Sequence, residues 1–457
     1  MSYKPTIGLE IHAELKTNSK MFCSCKNDPD EKRPNFNICS VCTAQPGSLP
    51  VANEEAIKKV IKTGLALNCQ ISEVSKFDRK NYFYPDLPKG YQVSQYDLPL
   101  CVNGHLTINN GKKIRITRVH IEQDTAKLVH EFGVQNANRE TQNYSLIDFN
   151  RSGVPLVEVV TEPDFESASE VVEYLKKLQQ IVRYLEVSNA DMEKGDMRLE
   201  PNISLLEISD TRHAKQTGLP DYKVEVKNIN SFRFVERAIS YEIRRQAEIL
   251  GKGEKPVQET RGWDEKHNRT VSQRIKEEAH DYRYFPEPDI PPLGNYQLLL
   301  RPRAQDQGAI TNFQLPELPD AKRKRFVEQY GLREDQSAQL IETRWKADFY
   351  EGAVKDGIEY EIGAKELANV IINKRIPWER MLPAELVQAI VKGRGKSVTQ
   401  EEVEKAVKEV IGKNKEAVEN YKNGKAQVLG FLIGKVIKSV PGVTPTQAKQ
   451  VLEDKLK

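Results

Sequence analysis

The chain has 457 residues, 38% of them apolar and 30% charged, which predicts two or three soluble domains with large cores. Its apolar runs are only a few residues long, which excludes a transmembrane helix. No basic segment followed by an apolar one opens the chain, so no signal peptide is expected. Six cysteines are too few for a disulfide scaffold. A cytoplasmic protein with no membrane partner is therefore expected. The formal net charge of +3 conceals an asymmetry, because residues 392–457 hold 14 Lys/Arg against 8 Asp/Glu and the rest is slightly acidic. A basic tail suits contact with nucleic acid, and it equally suits a solvated helical surface.

In chain order, the first chemical feature is IGLEIHAEL, where Glu10 and His12 stand two apart in an apolar setting. On a strand such residues share one face. Next come Cys23-x-Cys25 and Cys39-x-x-Cys42, a spacing that lets four thiolates meet around one tetrahedral Zn²⁺. With every position filled by protein, that zinc would be structural. Residues 114–124 alternate as a strand and put His120, Glu122 and Asp124 on one side. YSLIDFN and VPLVEVVTE read as strands around Arg151-Ser152-Gly153, the first carrying Asp148 and Asn150, the second Glu158 and Glu162. Ser167 with Glu170 forms a capping box that opens a helix with Val171, Leu175, Leu178, Val182 and Leu185 on its apolar face. A second helix is predicted at about 234–250, with Gly251 as its stop.

The proline-rich FPEPDIPPLG, residues 285–294, predicts a boundary. Beyond it the pattern is helical. Thr399 with Glu402, and Thr444-Pro445 with Gln447, predict further helix starts in the tail. The expected fold class is α+β. A large, mostly antiparallel sheet cradle at 1–294 carries the zinc knuckle at 23–42, followed by a helical domain at 295–391 and a basic helical tail domain at 392–457.

The acidic and imidazole pairs admit two readings. They could form an oxygen-rich cage for Mg²⁺, or ordinary charge on the solvent face of a sheet. No phosphate-binding glycine loop supports a nucleotide site. Gly395-Lys396-Ser397 resembles the end of one, but Ile390 stands where its first glycine is needed. The stretch 75–100 interleaves Arg79, Lys80 and Lys89 with Tyr82 and Tyr84. Such a mixture can meet phosphates and stack bases, or it can be a tyrosine-rich core edge. Lys227 and Asn228 precede a helix start, a setting that suits phosphate.

Six blocks in order, IGLEIHAELKTNSKMF, FDRKNYFYPDLPKGYQVSQYDLPL, NRSGVPLVEVVTEPD, VKNINSFRFV, QETRGWDE and DYRYFPEPDIPPL, resemble the B subunits of glutamine-dependent aspartyl/glutamyl-tRNA amidotransferases, the GatB/GatE family. YKNGKAQVLGFLIGK is similar to the tail of that family. The resemblance implies a carbon–nitrogen ligase that uses ATP and Mg²⁺ to phosphorylate the side-chain carboxylate of Glu-tRNA(Gln) or Asp-tRNA(Asn). Ammonia from a partner A subunit then gives the amide, within a heterotrimer that includes a small C subunit.

It implies catalytic roles for Glu10, His12, Glu122, Asp124 and Glu158, and Mg²⁺ ligation by Glu10, His12, Gln123 and Glu158. Arg151, Lys227 and Asn228 are the implied nucleotide-holding residues, and Arg79, Lys80, Tyr82, Tyr84 and Lys89 the implied tRNA contacts. Two positions depart from the family pattern. Gln123 stands where relatives carry a carboxylate, and Arg198-Leu199-Glu200-Pro201-Asn202 replaces Arg-Cys-Asp-Ala-Asn. Gln123 keeps open a second reading, a zinc-stabilised tRNA-binding scaffold with impaired kinase activity. A glutamine-tRNA-specific archaeal protein of the GatE type is a third, but the length leaves little room for its inserted domain.

Overall fold

A computed structural model describes residues 2–135, 141–208, 219–275, 282–294, 315–394, 400–422, 425, 427–440, 443 and 445–456. The predicted cap residues Thr399 and Thr444, and the Gly395-Lys396-Ser397 run, lie outside them. The chain divides into two compact units, Met1–Pro319 and Asp320–Lys457.

The first unit is built on a nine-stranded sheet. Its spatial order is Arg269–Ile275, Glu259–Asp264, Val224–Lys227, Met197–Ile208, Ser2–Glu14, Pro155–Thr161, Lys113–Gln123, Cys101–Thr107 and Gln70–Ile71. Among the described residues every pairing in it is antiparallel except that of Val224–Lys227 with Glu259–Asp264. Strand alternation gives the sheet two unlike faces. Ile7, Leu9, Ile11, Val119, Ile121, Val157, Val159, Leu199 and Ile203 are buried on one. They share an apolar cluster with the helices Glu54–Ala66, Ala168–Tyr184 and Phe232–Gly251. The other face carries Glu10, His12, Glu158, His120, Glu122 and Glu200. Sequence alternation and structure agree on the α+β class.

Local signals explain the helices, with two differences. Ser167 caps its helix by accepting from the Glu170 N–H at 3.2 Å, worth about 1 kcal/mol. Glu170 reaches back to the Glu166 N–H rather than to that of Ser167. In the next helix Gly251 remains helical. The stop falls at Lys252, and Gly253 takes the left-handed conformation at φ +78°. The Gly253 and Glu254 N–H groups then bond the carbonyls of Leu250 and Ile249, which satisfies the helix end.

The strand Thr141–Asp148 does not join the sheet. It pairs with Lys127–Gln135 in a separate ribbon, so Asp148 and Asn150 leave the polar face. The proline-rich run is sewn to the same unit, Phe285–Pro286 pairing with Asp78–Asn81 and Leu293–Gly294 with Val74–Ser75. The second unit is helical among the described residues. Within it, Val403, Val407, Val410, Leu432, Val436 and Leu452 form an apolar cluster of their own.

Candidate functional site

The polar face becomes a site through register. His12 pairs with Glu158 on one side and Arg198 on the other, and Glu158 pairs with His120. The His12 Nε2 lies 3.1 Å from a Glu122 carboxylate oxygen and 3.4 Å from one of Glu158, while His120 Nε2 is 2.9 Å from Glu158. Glu122, Glu158 and His120 are buried. Burial works to lower the pKa of His12, but Glu158 and Glu122 outweigh it and hold it well above the ordinary value. Burial likewise works to raise Glu158, yet His120 and His12 hold it well below the usual carboxylate range.

The donor set of His12, Glu122 and Glu158 fits a divalent cation. Their ligating atoms lie within 4.8 Å of one another. The buried Glu122 Oε1 accepts no hydrogen bond among the described residues, although the Lys80 ammonium stands 3.8 Å away. Two carboxylates and one imidazole leave most coordination positions of a six-coordinate Mg²⁺ to water or phosphate.

The other sequence candidates disperse around this group. Glu10 shares the face with His12 but turns to Glu200 and Glu225, whose carboxylates gather around it within 4.8 Å. The Lys227 ammonium is 3.0 Å from Glu200 and 3.5 Å from Glu225, and Asn202 donates to Glu10 at 3.1 Å. Burial pushes the Glu200 carboxyl up to about 6 against the pull of Lys227. Asn228 follows in a left-handed conformation at φ 62°. A cavity of about 410 Å³ opens beside Glu10, with Thr6, Asn202, Ser204 and Tyr222 in its wall.

Gln123 is not in either carboxylate group. Its side-chain oxygen accepts from the Lys89 ammonium at 2.8 Å and its carbonyl from Gln92 at 2.8 Å. Asp124, one residue beyond the strand, anchors two guanidiniums, with Arg198 in direct contact and Arg151 Nε at 3.5 Å. Arg151 also donates to the carbonyls of Thr125 at 3.1 Å and Ala126 at 2.9 Å. Glu162 bonds Thr117 at the sheet's rim.

The basic and aromatic stretch splits. Arg79 makes two bonds to Glu287, at 2.8 and 2.7 Å, and lies over Tyr91. Lys80 sits against Glu122; burial opposes its charge, but Glu122 raises its pKa. The Tyr82 hydroxyl donates to Gln92. Burial pushes the Lys89 ammonium down to about 8. Facing solvent are Tyr84, 59% exposed, and its neighbour Phe83, 92% exposed.

The four cysteine sulfurs form a separate cluster. Cys42 Sγ lies 3.6 Å from Cys23, 3.8 Å from Cys39 and 3.9 Å from Cys25. Four thiolates about 2.3 Å from a tetrahedral zinc are spaced about 3.8 Å apart, so the cluster has the size of a structural zinc site. All six cysteines are free of disulfides.

Sequence reasoning missed Glu225, placed His120 only on the shared face, and met Arg198 only as part of a departure from the family pattern. The alternation of Val224-Glu225-Val226-Lys227 was the available signal for Glu225.

Residues 5–298, which include both carboxylate groups and the cysteines, match the model described as the GatB/GatE catalytic domain. The chain belongs to the GatB/GatE family. Residues 352–456 match a second model, described as a GatB domain. Relatives named as the B subunit of aspartyl/glutamyl-tRNA(Asn/Gln) amidotransferase include one from Carboxydothermus hydrogenoformans, 42% identical with 99% of each chain covered. One from Thermotoga maritima is 43% identical over 97% of this chain and 96% of its own. One from Persephonella marina is 42% identical over the whole of both. GatB/GatE membership therefore spans the carboxylate face, the cysteine cluster and most of the helical unit. No helix among the described residues is long and apolar enough to cross a membrane.

Proposed function

We propose that this chain is the B subunit of a glutamine-dependent tRNA amidotransferase. It activates the side-chain carboxylate of Glu-tRNA(Gln) or Asp-tRNA(Asn) with ATP and directs ammonia onto it. The observation that carries the reading is the His12–Glu122–Glu158 group, its two carboxylates buried, within a chain whose residues 5–298 match a catalytic-domain model. A carboxylate is a poor electrophile, and phosphorylation supplies a leaving group. The substrate oxygen bonds the γ-phosphorus as the bond to ADP breaks. Ammonia then bonds the acyl carbon, its nitrogen gives up a proton, and inorganic phosphate leaves.

His12, Glu122 and Glu158 would hold Mg²⁺, which when bound offsets phosphate charge. The chain's own residues supply orientation. Arg151 and Arg198, held side by side by Asp124, offer guanidiniums to phosphate oxygens. Lys80 adds a positive charge next to Glu122. Glu10, Glu200 and Lys227 lead from the cation group to the 410 Å³ cavity, whose volume suits a nucleoside. Lys227, paired with Glu200, and its neighbour Asn228 are proposed as nucleotide-holding residues. Tyr84 and Phe83 are the aromatic faces open to an unpaired tRNA end. The basic residues 392–457 are proposed as a tRNA-binding tail, the A and C subunits as partners, and the cytoplasm as location.

The group of His12, Glu122 and Glu158 needs no ligand from position 123, so Gln123 does not by itself favour a scaffold without kinase activity. The deciding experiment combines the chain with its A and C partners, γ-labelled ATP and Glu-tRNA(Gln) in the absence of ammonia and glutamine. Label should appear in an acid-sensitive aminoacyl-tRNA phosphate. Tight tRNA binding with no labelled intermediate refutes the mechanism.

A further inference from the structure

Lys20 is fully buried, a rare state for a lysine, since a buried ammonium is costly unless an anion or several acceptors surround it. Its Nζ reaches two partners, donating to Cys42 Sγ at 3.6 Å and to the carbonyl of Phe149 at 3.1 Å. The first belongs to the cysteine cluster, the second to the 149–153 turn that carries Arg151. Four neutral thiols would leave this ammonium without a counter-charge, whereas four zinc-bound thiolates carry a net charge of −2.

The knuckle and the turn are joined at many other points. The Asn35 N–H donates to Asp148 and the Phe149 N–H to the Asn35 side chain, at 3.0 and 2.8 Å. The Asn37 N–H donates to the buried Asn150 side chain at 2.8 Å, and that side chain donates to the Arg33 carbonyl at 2.8 Å. Met21 N–H bonds the Gly153 carbonyl at 2.7 Å, and the Ser152 hydroxyl donates to the Cys42 carbonyl. Asp148 and Asn150, which alternation had offered as cage residues, serve this junction.

We propose that Lys20 is the counter-ion of the tetrathiolate zinc and a positioning residue that couples zinc occupancy to the 149–153 turn, and through Arg151 to Asp124. The proposal rests on the zinc reading of the cysteine cluster. The knuckle is then more than a local fold stabiliser. It sets the base from which Arg151 reaches the Thr125 and Ala126 carbonyls and stands beside Asp124 at the edge of the carboxylate group. Lys20 touches no substrate in this scheme and acts through the turn.

The test uses the full-length chain and three measurements. Elemental analysis of the wild type should find one zinc per chain. Lys20→Met keeps the apolar stem of the side chain, one atom shorter and without its charge. It should release zinc to a chromogenic chelator at least tenfold faster. Hydrogen exchange at 149–153 should rise in Lys20→Met and in wild type stripped of zinc, with the helix at 168–184 unchanged in both. Lys20→Arg should recover part of the zinc retention. If Lys20→Met does not fold, the wild type with and without zinc still decides the coupling. No zinc in the wild type overturns the zinc reading and the proposal together. Zinc present, with release unchanged in Lys20→Met or with exchange at 149–153 indifferent to zinc, overturns the proposal alone.

Discussion

Glu158 sits directly opposite His12 across the centre of the nine-stranded sheet, its carboxylate 3.4 Å from the imidazole, with His120 on its other side at 2.9 Å. A carboxylate shared between two imidazoles and beside Glu122 can hold a cation only while its neighbours stay in place. Glu158→Gln removes the charge and keeps the shape. Amide formation on Glu-tRNA(Gln) should fall by at least about a hundredfold, the scale of losing one electrostatic group at a reaction centre, while glutamine hydrolysis by the partner A subunit persists. His12→Ala should behave the same way. Amidation assays alongside glutaminase assays on the reconstituted complex check both.

Glu10 belongs to the other carboxylate group, with Glu200 and Glu225, on the way to the 410 Å³ cavity. Glu10→Gln and Lys227→Ala should therefore raise the KM for ATP more than they lower kcat. His12→Ala should do the reverse. Steady-state kinetics with ATP varied at saturating tRNA and glutamine separates the two.

The cysteine cluster predicts the response to metal removal. Cys39→Ser should leave the chain with less than one zinc and with the knuckle at 23–42 open to protease. A structural zinc can contribute on the order of 10 kcal/mol to local folding, so the loss should be visible as early cleavage within that loop. Metal analysis with limited proteolysis provides the check.

Lys89 predicts a pH effect on stability. Burial brings its folded pKa down to about 8 from an ordinary 10.5. The unfolded lysine keeps its proton up to about pH 10.5, so unfolding takes up a proton between those values and native stability gains as pH rises across them. Below pH 8 the native protein holds a charged, partly buried Lys89 at its greatest relative cost. Lys89→Met removes the titration. Its stability advantage over wild type, or its smallest disadvantage, should appear at pH 7 and shift towards wild type by pH 10. Urea midpoints at the two pH values measure this.

The tail carries the last prediction. Residues 403–456 form their own apolar cluster under a basic surface, so deleting 399–457 should leave Met1–Pro319 folded and weaken tRNA binding. Each lost phosphate contact should flatten the log–log salt dependence by about 0.7–0.9. Binding titrations from 50 to 200 mM salt check it, and an unchanged slope assigns the tail no role in phosphate contact.

Much of this protein was legible in its sequence because the relevant physics is local. Alternation along Ile7–Ala13 and Val119–Gln123 told which side chains share a face, Ser167 marked a helix start, and the spacing of four cysteines told that they could meet. Local rules were also misleading where two nearby residues competed for one role. Gly251 and Gly253 both suit a helix stop, and only the backbone's left-handed turn at φ +78° chose the second.

What the tertiary structure alone decided is which charged residues meet. Glu10 and His12 look equivalent along the strand, yet pairing with Met197–Ile208 and Pro155–Thr161 sends Glu10 to Glu200 and His12 to Glu158. Asp148 and Asn150 look like cage residues until their strand pairs with Lys127–Gln135 and turns them to the cysteine knuckle. A strand's period of two is set by its own backbone, but its register is set by partners a hundred or more residues away. A carboxylate has the same local sequence signature in solvent, in an ion pair or around a metal. The sequence therefore determined the fold class and the candidate donors, and only the packed sheet sorted those donors into sites.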